Sequence, residues 1–167
     1  MMILGIDPGT IKAGFGVVEI RDGRPCFVNC GTINLGKSQD MPDRLLFLHE
    51  SIDTLIVQYQ PVAMAVETQY MMENPKSALQ LSMARGIVLV AARKGGVPVF
   101  EYSPSKIKQA VTGSGQATKA LVQKTIQTIG RLEALPAPDA ADAVSIAICH
   151  GAHVAKESQQ SLWQNQA

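Results

Sequence analysis

Short apolar runs separated by turn residues dominate the first third of the chain. The segments 2–7, 14–20 and 26–35 are each rich in apolar and β-branched residues. Such runs predict strands, and the turn signal at residues 21–23 between the second and the third predicts a tight connection. The opening third is therefore predicted to be an antiparallel meander.

The apolar spacing changes to that of a helix from residue 42 onwards. Apolar residues recur at intervals of three and four, at Leu45, Leu48, Ile52, Leu55 and Tyr59. Pro61 ends this pattern and a strand over residues 62–67 follows. A β–α–β connection is right-handed and predicts that strand 62–67 is parallel to a neighbour in the same sheet. If that neighbour is strand 2–7, its last residue, Asp7, lies at the same sheet edge as Glu67.

The second half of the chain alternates helical and extended patterns. A helix from Asn74 or Ser77 to about residue 92 is so apolar that we expect it to be buried on most sides. The further predicted elements are a strand at 97–100, a helix from Ser103–Pro104 to about Val111, a flexible loop at 113–115, a helix from Thr118 to about Ile129, and a last helix that begins at Asp139. The predicted fold is α/β, with a mixed central sheet, made of an antiparallel meander plus parallel strands, flanked by helices.

The length of 167 residues predicts one domain. We assign residues 1–155 to that domain and residues 156–167 to a polar, frayed tail. Hydrophobic residues make up 46% of the chain and aromatic residues 5%, so the core must be mainly aliphatic.

The composition also bears on the compartment in which the protein works. No apolar stretch approaches the roughly 20 residues that span a bilayer. The N-terminal apolar run is short, has no basic leader and ends in Asp7, so no signal peptide is expected. Cys26, Cys30 and Cys149 have no metal-ligand spacing, and we expect reduced thiols in a cytoplasmic protein.

Charge is unevenly distributed along a chain whose formal net charge is only +1. Residues 93–131 carry seven basic groups against one acid, Glu101, and the flanking segments are net acidic. The basic residues are Arg93, Lys94, Lys106, Lys108, Lys119, Lys124 and Arg131. This segment suggests a local site for a polyanion, although an ordinary solvated surface would also explain it.

Four acids lie at the polar ends of apolar segments: Asp7, Glu67, Asp139 and Asp142. Each has an ordinary structural explanation, such as a turn, a strand end or, for Asp139, the first turn of a helix. Asp142 is harder to explain, because the helix around it is apolar on nearly all sides. No cationic residue stands beside any of the four in sequence, and buried anions are costly without a cation.

A bound metal ion is the simplest way to balance these four carboxylates. Oxygen ligands without His or thiolate pairs suit Mg²⁺ or Mn²⁺ rather than zinc. Three or four carboxylates can hold two such ions roughly 3.5–4 Å apart, and the two ions can then promote the hydrolysis of a phosphodiester. Asp7 is our candidate for the bridging ligand, because the end of a strand is a rigid support.

Several motifs resemble the RuvC family of bacterial Holliday-junction resolvases. The resemblance rests on residues 3–10 (Ile-Leu-Gly-Ile-Asp-Pro-Gly-Thr), Glu67, the loop 113–115 and residues 139–143 (Asp-Ala-Ala-Asp-Ala), and it extends from about Met2 to His153. It implies a ribonuclease H-like fold and a homodimeric endonuclease dependent on Mg²⁺, with Mn²⁺ as a possible substitute. Such an enzyme nicks two strands of a four-way DNA junction symmetrically in recombination and repair.

The resemblance also implies roles for individual residues. The family's four catalytic, metal-binding acids fall on Asp7, Glu67, Asp139 and Asp142, and since some members have His at the last position, Asp142 is the aspartate variant. Its DNA-contacting lysines fall on Lys108 and Lys119, of which Lys119 is also catalytic.

Other features of the family carry over as expectations. The base-unstacking aromatic residue falls on Tyr70, and the RuvA–RuvB branch-migration complex is the expected partner. A junction with two-fold symmetry requires a two-fold dimer. We expect its interface on the apolar helix at about 77–92, around Met83, Gly86 and Val90.

Three other functions remain open on the sequence. The motif at residues 5–10 also resembles the first phosphate loop of actin-like kinases and chaperone ATPases, but the chain shows no second Gly-rich phosphate loop. A non-catalytic junction-binding module would be expected to lack one of the acids. A related nuclease of the same superfamily could act on RNA–DNA hybrids or on another branched DNA.

Overall fold

The computed structural model describes residues 1–37, 39–68 and 74–164, with side chains described as far as Glu157. Its elements, in chain order, are β1 (Met2–Asp7), β2 (Lys12–Arg21), β3 (Arg24–Asn34), α1 (Met41–Tyr59), β4 (Ala63–Glu67), α2 (Pro75–Lys94), β5 (Val99–Tyr102), α3 (Pro104–Thr112), α4 (Lys119–Gly130) and α5 (Pro138–Gln164). Among these residues no helix is long and apolar enough to cross a membrane.

The described strands form one mixed sheet in the order β3-β2-β1-β4-β5. The pairs β1–β2 and β2–β3 are antiparallel, whereas β1–β4 and β4–β5 are parallel. Asp22 and Gly23 both have positive φ angles in the turn between β2 and β3, which is the two-residue hairpin turn that Asp-Gly favours. The predicted meander is confirmed, and the neighbour to which the strand at 62–67 was predicted to be parallel is β1.

The sheet separates two layers of helices. Alternate residues of β1 point to opposite faces, so Leu4 packs with α1 and α2 while Ile3 packs with α4 and α5. Leu48 and Val88 belong to the first core, and Ile126 and Val144 belong to the second. This arrangement confirms the predicted mixed sheet flanked by helices.

The helix starts follow from local capping. Asp40, Asn74, Ser103 and Thr118 are the N-caps of α1 to α4, and each side chain accepts a hydrogen bond from a backbone N–H group of the first turn. Proline lies in the first turn of α1, α2 and α3, where its missing N–H group leaves no hydrogen bond unmade.

Two predictions about the middle of the chain were wrong in part. Helix α2 is not buried on most sides of the single chain, because Leu79, Met83 and Val90 are 61%, 44% and 57% exposed. The strand predicted at 97–100 begins two residues later, because the Val97 amide donates a hydrogen bond to the Ala92 carbonyl at the end of α2 and so still belongs to the end of that helix.

Helix α5 continues without a break past residue 155, and the boundary between domain and tail at that residue stays a prediction.

Candidate active site

Asp7 and Glu67 end two neighbouring parallel strands. Ile6 of β1 lies in register with Val66 of β4, so the two carboxylates emerge at the same edge of the sheet. The strands of a sheet are about 4.8 Å apart, which brings the two residues next to each other. The condition under which the sequence placed Asp7 and Glu67 at one sheet edge, a parallel pairing of β1 with β4, is therefore met.

The first turns of α5 lie directly on the sheet beside Asp7. Gly14 pairs with Asp7 across the β1–β2 ladder, and a Cβ atom at residue 14 would collide with the Asp139 carbonyl oxygen. A Cβ atom at Gly5 would likewise collide with the backbone of Ala143. The absence of side chains at these glycines therefore allows α5 to bring its two acids to the sheet edge.

The pKa of Asp7 shows that the four acids share one environment. The pKa of Asp7 is raised to about 7, mainly because burial removes its carboxylate from water. Three carboxylates raise it as well, in the order Asp142, Glu67 and Asp139, and the ammonium group of Lys119 lowers it. Every acid singled out in the sequence thus acts on the same carboxylate.

Glu67 and Asp142 respond to the same neighbours. Burial raises the pKa of both, and the charge of Asp142 raises that of Glu67 further. The ammonium groups of Lys119 and Lys108 oppose this rise at both carboxylates. The site therefore combines a cluster of acids with two nearby cations.

Lys119 is the cation that approaches an acid most directly in this site. It is the first residue of α4, and its Nζ atom lies 3.8 Å from Oδ2 of Asp142. The side chain is 85% exposed, so the pair is a weak surface contact and the ammonium group remains accessible. The fold thus supplies a counter-ion that is absent from the sequence neighbourhood of the acids, so Asp142 is less isolated than its sequence neighbours indicate.

A cleft opens beside these charged groups. Its lining residues come from β4, α3, α4 and α5, and they are Glu67, Pro104, Ile107, Lys108, Lys119, Val122, Asp142, Ser145 and Ile146. Asp7 and Asp139 are not among them and are linked to the cleft through their charges. The two lysines and two of the acids therefore face a common space that a ligand can enter.

Two kinds of residue that build this site were not predicted from the sequence. Gly5, Gly14 and Gly16 all meet the backbone of α5, and the alanine-rich start of that helix was a signal for such close packing. Ser145 also lines the cleft, although its hydroxyl donates a hydrogen bond to the Ala141 carbonyl. No sequence pattern distinguishes this serine from an ordinary helical one.

The basic segment at residues 93–131 does not form a single surface. Lys108 and Lys119 line the cleft, whereas Lys94 forms an ion pair with Asp53. Tyr70 lies outside the described residues. Of the basic residues in this segment, Lys108 and Lys119 are therefore the ones placed to contact a polyanion near the acids.

The described side chains do not form a ready-made metal site. Within residues 1–37, 39–68 and 74–157, no group of three or more His, Cys, Asp or Glu side chains is arranged closely enough to hold a metal ion. The donor set is nevertheless all oxygen, and mutual repulsion among its members helps to hold the pKa of Asp7 near 7. Carboxylates that repel one another in this way would gain from a hard divalent cation.

Comparison with known families gives a consistent result. The sequence profile of the family described as crossover junction endodeoxyribonuclease RuvC matches residues 3–150. The chain belongs to the RuvC family. A RuvC relative from Protochlamydia amoebophila, named crossover junction endodeoxyribonuclease, is 44% identical over 161 residues, which cover 95% of this chain and 96% of the relative. A second RuvC, from Trichlorobacter lovleyi, is 41% identical over 99% of this chain and 98% of its own length.

Solved RuvC structures agree with the sequence comparison. The structure of Thermus thermophilus RuvC in complex with a Holliday junction substrate superposes with a TM-score of 0.87 and 31% identity, covering 94% of this chain and 96% of that one. The mixed sheet and the flanking helices are thus those of RuvC, a ribonuclease H-like fold, and the predicted fold class is confirmed.

Proposed function

We propose that this protein is a crossover junction endodeoxyribonuclease, a hydrolase that resolves Holliday junctions in DNA recombination and repair by nicking two strands symmetrically. The observation that carries the proposal is the convergence of four carboxylates, from β1, β4 and α5, with Lys108 and Lys119 beside one cleft. Acids and cations of this kind suit the hydrolysis of a negatively charged phosphodiester. Membership in the RuvC family supports the four-way junction as substrate.

The carboxylates would hold divalent metal ions, with Mg²⁺ as the expected cofactor, Mn²⁺ as a substitute and two ions per site. Their all-oxygen donor set fits these hard cations. Such ions, when bound, lower the pKa of the attacking water and stabilise charge on the leaving oxygen. Asp7 must lose its proton to act as a ligand, and a divalent cation would favour that loss, because its charge opposes the burial and the repulsion that raise the pKa of Asp7 to about 7.

The lysines act on the phosphate rather than on the metal. Lys119 is highly exposed and its ammonium group lies beside Asp142, so it can reach a phosphate that sits over the carboxylates. Lys108 faces the same cleft from α3 and balances the charge of the bound backbone. We assign both residues to DNA binding and assign Lys119 also to stabilisation of the developing negative charge.

The substrate and its partners require a surface beyond one active site. Two symmetric cuts need two copies of the chain, and the exposed apolar residues of α2 offer a surface for dimerisation.

Tyr70 follows β4 by three residues and is our candidate for unstacking a base near the cut. We also propose that the RuvA–RuvB complex delivers the junction to this protein in the cytoplasm.

A cleavage assay tests the proposal. The purified protein is incubated with a synthetic mobile four-way junction in Mg²⁺, Mn²⁺ or EDTA, beside the Asp7→Asn variant. A linear duplex and an RNA–DNA hybrid of matched sequence are the substrate controls. We expect paired, symmetric nicks in the junction that require both the divalent metal and Asp7.

Other outcomes favour other functions. Metal-dependent cleavage of the hybrid in preference to the junction would indicate a related nuclease with another substrate. Junction binding without cleavage in several sequences, with either metal, would indicate a binding module and would overturn the proposal.

A further inference from the structure

A second, more open groove lies between α3 and α5. It is lined by Tyr102, Lys106, Gln109, Ala110, Gly113, Cys149, Ala152, His153 and Lys156. Its volume is about 530 Å³, compared with about 180 Å³ for the cleft beside the carboxylates. It has room for an extended ligand, and no residue of the candidate active site lines it.

The groove and the cleft are both lined by residues on the same face of α5. The residues of α5 that line the cleft are Asp142, Ser145 and Ile146, and residues seven positions later, Cys149, Ala152 and His153, line the groove. Seven residues are nearly two helical turns, so both sets lie on the same face of α5, about 10 Å apart. The cleft and the groove are therefore successive openings along one helix.

Helix α3 separates the two openings and contributes a lysine to each. Ile107 packs against Ile146 and Cys149 in a shared apolar cluster, which places α3 across this face of α5. Lys108 lines the cleft and Lys106 lines the groove. Helix α3 therefore presents one lysine to each opening.

The groove is net cationic. Lys106 and Lys156 are both exposed, one on each wall, and both act on the thiol of Cys149 between them. Burial raises the pKa of that thiol to about 11, and the two ammonium groups oppose the rise. His153 is paired with Glu157 at 3.3 Å, so the two lysines supply the free positive charge.

We propose that this groove binds backbone phosphates of a junction arm, with Lys106 and Lys156 as the phosphate contacts. The inference rests on the proposed function and extends it to a second DNA contact. For a duplex arm that runs along α5, with 3.4 Å of axis per nucleotide step, the groove begins about 10 Å from the cleft and extends to Lys156, about 21 Å from Asp142, so the contacted phosphates lie between about the third and the sixth nucleotide from the cut. The alignment with the cleft favours DNA over an acidic peptide, because a peptide would gain nothing from that spacing.

Salt dependence of binding tests the two contacts. Affinity for a four-way junction is measured in EDTA over a range of salt concentrations, for the wild type and for the double variant Lys106→Gln/Lys156→Gln. Each phosphate contact adds about 0.9 to the slope of log K against log salt, so the double variant is expected to lose about 2 from it. Arg24→Gln is the matched control, since Arg24 is exposed at the β2–β3 hairpin, at the opposite end of the sheet from Asp7. Its slope should equal that of the wild type.

Methylphosphonates, which replace a charged backbone phosphate by a neutral group, show which phosphates of the junction contact the groove. Single methylphosphonates are placed at each of about six positions on either side of the cleaved phosphate. Between about the third and the sixth position, on one side, the analogue should weaken binding of the wild type but not of the double variant. Thermal unfolding of each variant checks that the substitutions leave the fold intact.

The results separate this proposal from the proposed function. If the wild type binds the junction and the double variant has the same salt slope and the same methylphosphonate profile, the groove does not bind DNA, and the proposed nuclease function is unaffected. An acidic partner protein would then be the better occupant of the groove. A wild type that shows no preference for the junction over linear duplex would overturn both.

Discussion

Gly14 packs directly against the carbonyl group of Asp139, so that no Cβ atom fits between β2 and the start of α5. Gly14 also lies opposite Asp7 in the β1–β2 ladder. One glycine therefore sets how closely α5, which carries two of the acids, approaches β2, the strand that is paired with the Asp7 strand.

Replacing this glycine should damage the site and the fold together. In Gly14→Ala the new methyl group must displace the start of α5, because its nearest neighbours are backbone atoms that have no room to move. We expect the free energy of unfolding to fall by about 1–3 kcal/mol, as in other overpacked cores. Urea unfolding measures this loss, and junction cleavage should fall more than the unfolded fraction explains.

Gly86→Ala provides the control for the change of residue type. A Cβ atom at residue 86, inside α2, meets nothing within 4 Å. Alanine should stabilise this helix by up to about 1 kcal/mol. Both variants are compared at one protein concentration, because Gly86 lies on the helix proposed for dimerisation. Equal effects of the two substitutions would contradict the packing argument.

The raised pKa of Asp7 predicts how stability changes with pH in the absence of metal. Its pKa rises from 3.8 to about 7 on folding, so the folded state binds this proton more tightly than the unfolded state. The resulting stabilisation is complete below about pH 4 and is lost as the pH rises through about 7. In EDTA, the wild type should therefore become less stable relative to Asp7→Asn between pH 5 and pH 8.

The same comparison gives an expected size. At pH 8 the Asp7→Asn variant should be more stable by on the order of 1 kcal/mol, or about 2–4 °C in Tm for a chain of this length. Thermal unfolding in EDTA across this pH range measures the difference. Parallel curves for the two proteins would show that Asp7 does not carry the buried negative charge.

Much of this site could be predicted because strand ends and helix faces follow from local sequence. Asp7 and Glu67 each end an apolar run, and the parallel pairing of those runs is enough to bring them together. Asp139 and Asp142 are three residues apart on one helix, which places them on one face. Local patterns combined with one rule of topology therefore located the acids.

The remaining features depend on packing between distant segments. Lys119 approaches Asp142 only because α3 and α4 fold back onto α5, and its sequence neighbourhood shows only an excess of basic residues. The hydrogen bond between the Tyr102 hydroxyl and Nδ1 of His150 joins β5 to α5 across 48 positions of sequence, and no periodic pattern announces it. The exposed side of α2 was expected only as a dimer interface inferred from the family resemblance and two-fold symmetry, because apolarity alone does not distinguish a core from an interface.

Lys119 should matter for cleavage more than its salt bridge suggests. The contact with Asp142 is largely solvent-exposed, so Lys119→Gln should leave thermal stability within experimental error. Loss of its charge beside the phosphate should lower the single-turnover cleavage rate by about 100-fold. Lys124→Gln, on the exposed side of the same helix, should change that rate less than twofold. Equal losses in the two variants would assign the effect to the whole basic segment instead.

The exposed face of α2 predicts the oligomeric state. Leu79, Met83 and Val90 are exposed apolar residues, and together with Gly86 they follow spacings of four, three and four, which places them on one side of the helix. Such a stripe can pack against its own copy around a two-fold axis. Met83→Glu should therefore convert a dimer to a monomer in light scattering at micromolar concentration, and the two nicks in a junction should become uncoupled. Leu135→Glu, which charges another exposed apolar residue outside α2, should remain dimeric. A wild type that is monomeric under these conditions would remove α2 as the interface.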